Sequence, residues 1–144
     1  MQVTITSVHL LGDGRRHVEF DAAHGHGAGI WHPWRDSEPQ PGDIFQIEFT
    51  LLDPVWMQDN AEFATFSEFA LSFTDQVVVM TVRVEHVDSD NVATFRLGSD
   101  CLFMSDVADP QIEAGRLLRV SIRAERLELF PYDAGRMVVA ELLG

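Results

Sequence analysis

Apolar and polar residues alternate with a two-residue period over much of the chain, and the longest such stretch is QVVVMTVRVEHVDSDNVATFRLG, residues Gln76 to Gly98. Pairing Val87 with Val92 across the turn Asp88-Ser89-Asp90-Asn91 sets Val84 opposite Phe95, Val82 opposite Leu97 and His86 opposite Ala93. That register gathers the large apolar side chains on one face, with His86 at its rim. It leaves Arg83 opposite Arg96 on the other face, with Glu85 diagonal to Arg96 to soften the like-charged pair. A lone ribbon of this kind is not stable, so other segments must cover its apolar face.

The same period recurs before and after the hairpin. Residues 2–11 change phase midway, Val3 and Ile5 on one parity and Val8 and Leu10 on the other, which predicts a bulge near Thr6-Ser7. Gly12-Asp13-Gly14 is a turn, and Arg15 to Asp21 returns with Val18 and Phe20 inward and His17, Glu19 and Asp21 on the opposite face. From Ala22 to Gly42 the period stops in favour of glycine, proline, histidine and tryptophan, predicting a long loop with aromatic anchors. Asp43 to Leu52 is a half-buried strand. Ser99 to Val107 is a short strand or turn, and Arg116 to Ala124, Arg126 to Phe130 and Met137 to Leu142 are further strands, with a turn at Asp133-Ala134-Gly135.

Residues 59–73 admit two readings. Asp59 followed by Glu62 resembles a capping box, and Phe63, Phe66, Ala70 and Phe73 then share a helical face. The competing strand parity sets Phe63, Phe69, Leu71 and Phe73 together. The cap and the acidic first turn favour the helix. The predicted fold is mainly β, α+β with one helix, a single domain over residues 1–144 forming a small barrel or sandwich of about seven to eight strands. The segment GRLLRVSIRAERLELFPYDAGRMV, within residues 115–138, resembles the closing strands of small OB-type barrels such as the TOBE modules of transport ATPases. The resemblance implies an OB-like barrel.

Charge changes the picture of function more than of fold. The chain has 23 acids against ten bases, a net charge of −13, and every base is arginine. Nine acids fall between Arg35 and Arg83 with no base among them, whereas five arginines cluster from Arg116 to Arg136. Such a field repels nucleic acid and anionic membranes and draws basic protein surfaces. No apolar run approaches the roughly 18 residues of a membrane span, and the N-terminus lacks the pattern of a secretory signal, so the expected location is cytoplasmic. Cys101 is the only cysteine, which excludes an intrachain disulfide and predicts a buried, inert thiol.

Phosphate-loop, dinucleotide and nucleophile-elbow motifs are absent from the sequence. What remains are two candidate constellations. The first is a partner-binding surface built from Trp31, Trp34, Asp36, Glu38, Asp43, Glu48, Asp59, Glu62 and Glu68, with the tryptophans either contacting the partner or closing one end of the core. The second is His17, His24, His26 and His32, imidazoles that with Glu19 and Asp21 could take a divalent transition metal. Adjacent outward residues on a strand stand roughly 7 Å apart, so a shared ion requires the His24-Gly25-His26 segment to fold over. The favoured reading is a non-enzymatic acidic module, monomer or homodimer through its Phe-rich segment, that needs no cofactor and docks on a basic protein. In charge and size it is similar to small acidic bacterial immunity proteins, inhibitors that cover a toxin's basic cleft. The alternative is a metal-binding protein or metal-dependent enzyme using residues 17–32.

Overall fold

The alternation resolves into eleven strands in a computed structural model that describes residues 1–32, 38–65 and 68–132. They are β1 (Gln2–Leu10), β2 (Arg16–Ala22), β3 (Gly25–Trp31), β4 (Ile44–Leu51), β5 (Ala61–Phe63), β6 (Ala70–Thr74), β7 (Val77–Val87), β8 (Val92–Arg96), β9 (Leu102–Asp106), β10 (Leu117–Arg123) and β11 (Leu127–Pro131). A 3-10 turn, Ala124–Arg126, separates the last two. The fold is thus mainly β, with more strands than the pattern predicted and no α-helix among the described residues. Accordingly, no described helix is long and apolar enough to cross a membrane.

Five strands close a barrel. β1 pairs with β2 and β4, β2 with β3, β11 with β4, and β11 lies parallel to β3 to complete the ring. The phase change in β1 is a bulge, since Ile5 pairs with Phe20 and Ser7 with Glu19, leaving Thr6 unopposed. Beyond the barrel, β3 also meets β6 through Gly25 and Leu71. β6 leads to β7, which carries β10 on its other edge, and β10 carries β5. β8 takes the remaining length of β7, and β9 pairs with β8.

β7 has one face covered, as its pattern predicted, with Val78, Met80, Val82 and Val84 all buried. The hairpin register holds where Arg83 faces Arg96 and Val84 faces Phe95, then slips by one, so that His86 faces Thr94 and Val87 faces Ala93. The slip moves His86 from the apolar rim into solvent. Its cause is local. Glu85 accepts hydrogen bonds from Arg83 Nη2 at 2.8 Å and from Arg96 Nε at 2.6 Å, while the Asp88 carboxylate caps the turn by accepting from the Asp90 and Val92 amides. These four acceptor contacts near the turn outweigh one step of apolar pairing.

Two segments differ from expectation. The segment GHGAGIW is no loop but β3, shared by the barrel and the outer strands. Glycine is required there by close approach. A Cβ on Gly29 would stand 2.7 Å from the Leu127 carbonyl oxygen, and one on Gly27 would stand 2.5 Å from the Phe20 ring. The second is the favoured helix over 59–73, which is replaced by β5 and β6. Asn60, not Asp59, organises the turn, and Glu62 reaches across to Arg119, so the capping-box residues are spent on other contacts. The strand parity that sets Leu71 and Phe73 together is the one observed, with both facing inward from β6. Phe66, the turn at 133–135 and the strand predicted at 137–142 lie outside the described residues.

Candidate interaction surfaces

His17, Glu19 and Asp21 do share the outer face of β2, and β3 brings His26 beside them. His26 Nδ1 lies 2.8 Å from Asp21 Oδ1 and its Nε2 3.2 Å from Glu19 Oε1. Ser7 Oγ donates to the other oxygen of Glu19 at 2.7 Å, and this bond chiefly holds the Glu19 carboxyl below its usual range. Partial burial opposes the His26 imidazolium, yet the hydrogen bonds it donates to Asp21 and Glu19 outweigh that and its pKa is raised. His17 is shifted the other way by burial, only 9% exposed against Phe73, with Nε2 lacking a hydrogen-bond partner.

A raised histidine contributes stability that is complete below its unfolded value near 6.5 and is lost as pH rises through the folded value. His26→Asn is therefore expected to destabilise the protein more at pH 5.5 than at pH 8.5. The difference should be a few tenths of a kcal/mol, because solvent screens a pair this exposed. Urea unfolding at the two pH values checks it, and an equal loss at both would count against the ion-paired arrangement.

The four histidines proposed to share a metal do not meet. His24 packs edge-on against Phe69, His32 stacks on Phe130 with ring centres 4.2 Å apart, and His26 is held by its two carboxylates. Among the described residues no group of three or more His, Cys, Asp or Glu is placed to hold an ion. β3 is part of the reason: it fixes His26 in the ladder opposite Asp21, while His24 sits in the preceding turn with its ring against Phe69.

The acids predicted to form one surface are divided among several places, and some are neutralised. Glu38 accepts from Arg16 at 2.7 Å, Asp53 from Arg126 at 3.0 Å and Glu62 from Arg119 at 2.9 Å. Arginines remote in sequence thus meet the base-free stretch. Asp43 caps a turn by accepting from the Gln40 amide. Glu48, Asp59 and Glu68 are exposed and have no ion pair among the described residues. Asp36 and Trp34 lie outside those residues. Trp31 is a core residue, 4% exposed and edge-on to Phe45, which removes it from any docking face.

Of the two tryptophans among the described residues, Trp56, which the sequence pattern passed over, is the exposed one, at 48%. It begins a tight turn whose backbone is fixed from several sides. Trp56 N–H donates to Asn60 Oδ1 at 2.8 Å, Asn60 Nδ2 donates to the Pro54 carbonyl at 2.8 Å, and Met57 N–H donates to Asp109 Oδ2 at 3.3 Å. Gln58 sits at φ 69°, a left-handed conformation unfavourable for a side-chain-bearing residue and stabilised here by these contacts. Beside the turn opens a cleft of about 530 Å³, walled by Met57 and Phe63 and rimmed by Asp59, Glu62, Gln111 and Arg119. Arg116 lies over the Phe63 ring, 3.9 Å from its centre. The signal available in the sequence was the pair Asp53-Pro54 followed by Asn60, a stop and a side-chain cap around a tryptophan.

Cys101 is buried, and that burial above all pushes its thiol up to about 11, with Asp100 and Glu48 adding to the shift. The predicted burial is the one observed. A scan of protein-family models finds no match to the chain, and searches of curated proteins and of solved structures find none either.

Proposed function

We propose that the protein is an acidic binding module that docks on a basic surface of another protein through the turn at Trp56. The observation that carries this reading is an exposed tryptophan, its backbone amide tied to Asn60, beside a cleft rimmed by Asp59 and by the Glu62–Arg119 ion pair. An exposed aromatic carried on a fixed turn contributes large contact area, and an unpaired carboxylate such as Asp59 beside it speeds encounter with a basic partner. The net charge of −13 supports the same partner and disfavours nucleic acid and anionic membrane surfaces. An immunity or inhibitor role, covering a basic cleft of a toxin, fits this chemistry, as does a cytoplasmic setting without a cofactor.

We further infer an OB-like barrel. The ring order β1-β2-β3-β11-β4, with one parallel contact, supports it, and β11 is the strand whose sequence resembled the closing strand of such modules. OB-type barrels bind through the loop between their fourth and fifth strands, among other places. Here that connection, from β4 to β11, carries the Trp56 turn.

The test uses the full chain as bait against host extract, in parallel with W56A and with D59K/E62K. Wild type is expected to retain a basic protein whose capture falls roughly tenfold or more with either variant and declines with added salt. Capture of the same protein by all three, independent of salt, would overturn the reading.

A further inference from the structure

We infer that the groove between β4 and β9 receives an extended, basic segment of a protein partner, added as a strand to the open edge of β9. The inference rests on the protein-binding reading above and names a mode of contact for it. β8 engages β9 through alternate residues: Leu97 N–H donates to the Cys101 carbonyl and Val107 N–H to the Asn91 carbonyl, each at 2.9 Å. The alternation of an antiparallel ladder sends the N–H and C=O groups of Leu102 and Met104 to the opposite edge. Among the described residues they have no backbone partner there, until Val55 N–H reaches the Asp106 carbonyl at the groove's far end.

The facing wall is built in the same way. Gln46 and Leu52 bond to Tyr132 and Arg126 on the β11 side, so the odd residues of β4 turn to the other edge. Ile47 pairs there with Met1, and beyond it Phe49 and Leu51 have no backbone partner among the described residues. Between the walls run two clefts of about 320 and 450 Å³ that meet at Glu48 and Leu102. Unpaired edges are commonly protected by lysine, proline or a covering element, and LFMSD carries neither residue.

The lining selects the occupant. Leu102 and Met104 are 49% and 65% exposed, offering apolar contact to every second residue of an added strand. Glu48 and Asp100 at one end have no ion pair among the described residues, and their field raises the Tyr132 pKa beyond what burial does. Two cations line the same cleft and both are committed: Arg96 to Glu85 and to the carbonyls of Gly98 and Ser99, and the Met1 ammonium, which donates to the Ile47 carbonyl at 3.1 Å. A segment alternating apolar residues with lysine or arginine satisfies both features.

The probe is a capped six-residue peptide of alternating valine and lysine, followed by amide NMR and hydrogen exchange on the full chain. Leu102 and Met104 amides are expected to shift and gain protection. Affinity should fall roughly tenfold on methylating alternate peptide nitrogens, and again in E48Q/D100N. Three results would overturn the inference: no binding up to about 1 mM peptide, binding indifferent to N-methylation, or protection of β9 appearing only with concentration-dependent self-association. W56A and D59K/E62K should leave peptide binding unchanged. Loss of partner capture in those variants with no peptide binding would therefore sink this groove and leave the Trp56 surface standing.

Discussion

Gly29→Val is expected to leave little folded protein at 37 °C. The new Cβ would meet the Leu127 carbonyl oxygen at 2.7 Å and the Leu129 side chain at 2.9 Å, and both belong to the strand that closes the barrel. Backbone cannot rotate aside as a side chain can. Relief requires β3 and β11 to separate, which breaks the parallel contact at Glu128 with Ile30 and Leu129 with Trp31. We expect a cost of about 4 kcal/mol or more, at the upper end for single substitutions. Gly14→Val is the control. Gly14 has φ +88° but open space around it, so only backbone strain of about 1–2 kcal/mol applies. Urea midpoints of the two variants should differ widely, and similar midpoints would show that close approach at β3 is not what demands glycine.

Phe20→Ala is the second large effect. Phe20 is fully buried, packs against Phe49 with ring centres 6.3 Å apart, and fills the space that a side chain at residue 27 would need. Truncation should cost about 3–5 kcal/mol through lost transfer energy and the cavity left behind. The same geometry predicts coupling. Gly27→Ala alone collides with the ring at 2.5 Å, whereas in a Phe20→Leu background the collision is relieved, so the double variant should lose less than the sum of the singles by about 1 kcal/mol. A double-variant cycle by equilibrium unfolding measures this, and strict additivity would refute the packing described.

How far these features were legible depended on whether the signal was periodic. Val18 and Phe20, Phe45 through Leu51, Val78 through Val84 and Leu118 through Ile122 alternate cleanly because one face of each strand is buried, and each was placed correctly. β3 was hidden because two successive inward positions, Gly27 and Gly29, are glycines, chosen for the bulk of Phe20 and Leu129 on other strands; no local pattern contains that information. The turn at Trp56 was hidden similarly. Its order comes from Asn60, Asp109 and a ladder to β10, and the Asp59 to Glu62 spacing mimicked a helix start. Among site residues, charge could be counted but not located. Arg16, Arg119 and Arg126 neutralise acids that sequence position had set apart.

The barrel's ring order also fixes a sequence of events in time. β4 ends at Leu51, and its ring neighbour β11 begins only at Leu127, after all the outer strands have been made. On the ribosome the first four barrel strands emerge as an open sheet whose β3 and β4 edges have no partner. Closure by so distant a segment is entropically costly and places folding among the slow, millisecond-to-second class of β proteins. The nascent chain thus exposes the apolar interior of its barrel for longer than the finished molecule ever does, which makes synthesis, and not the folded state, the stage at which this protein is most prone to aggregate.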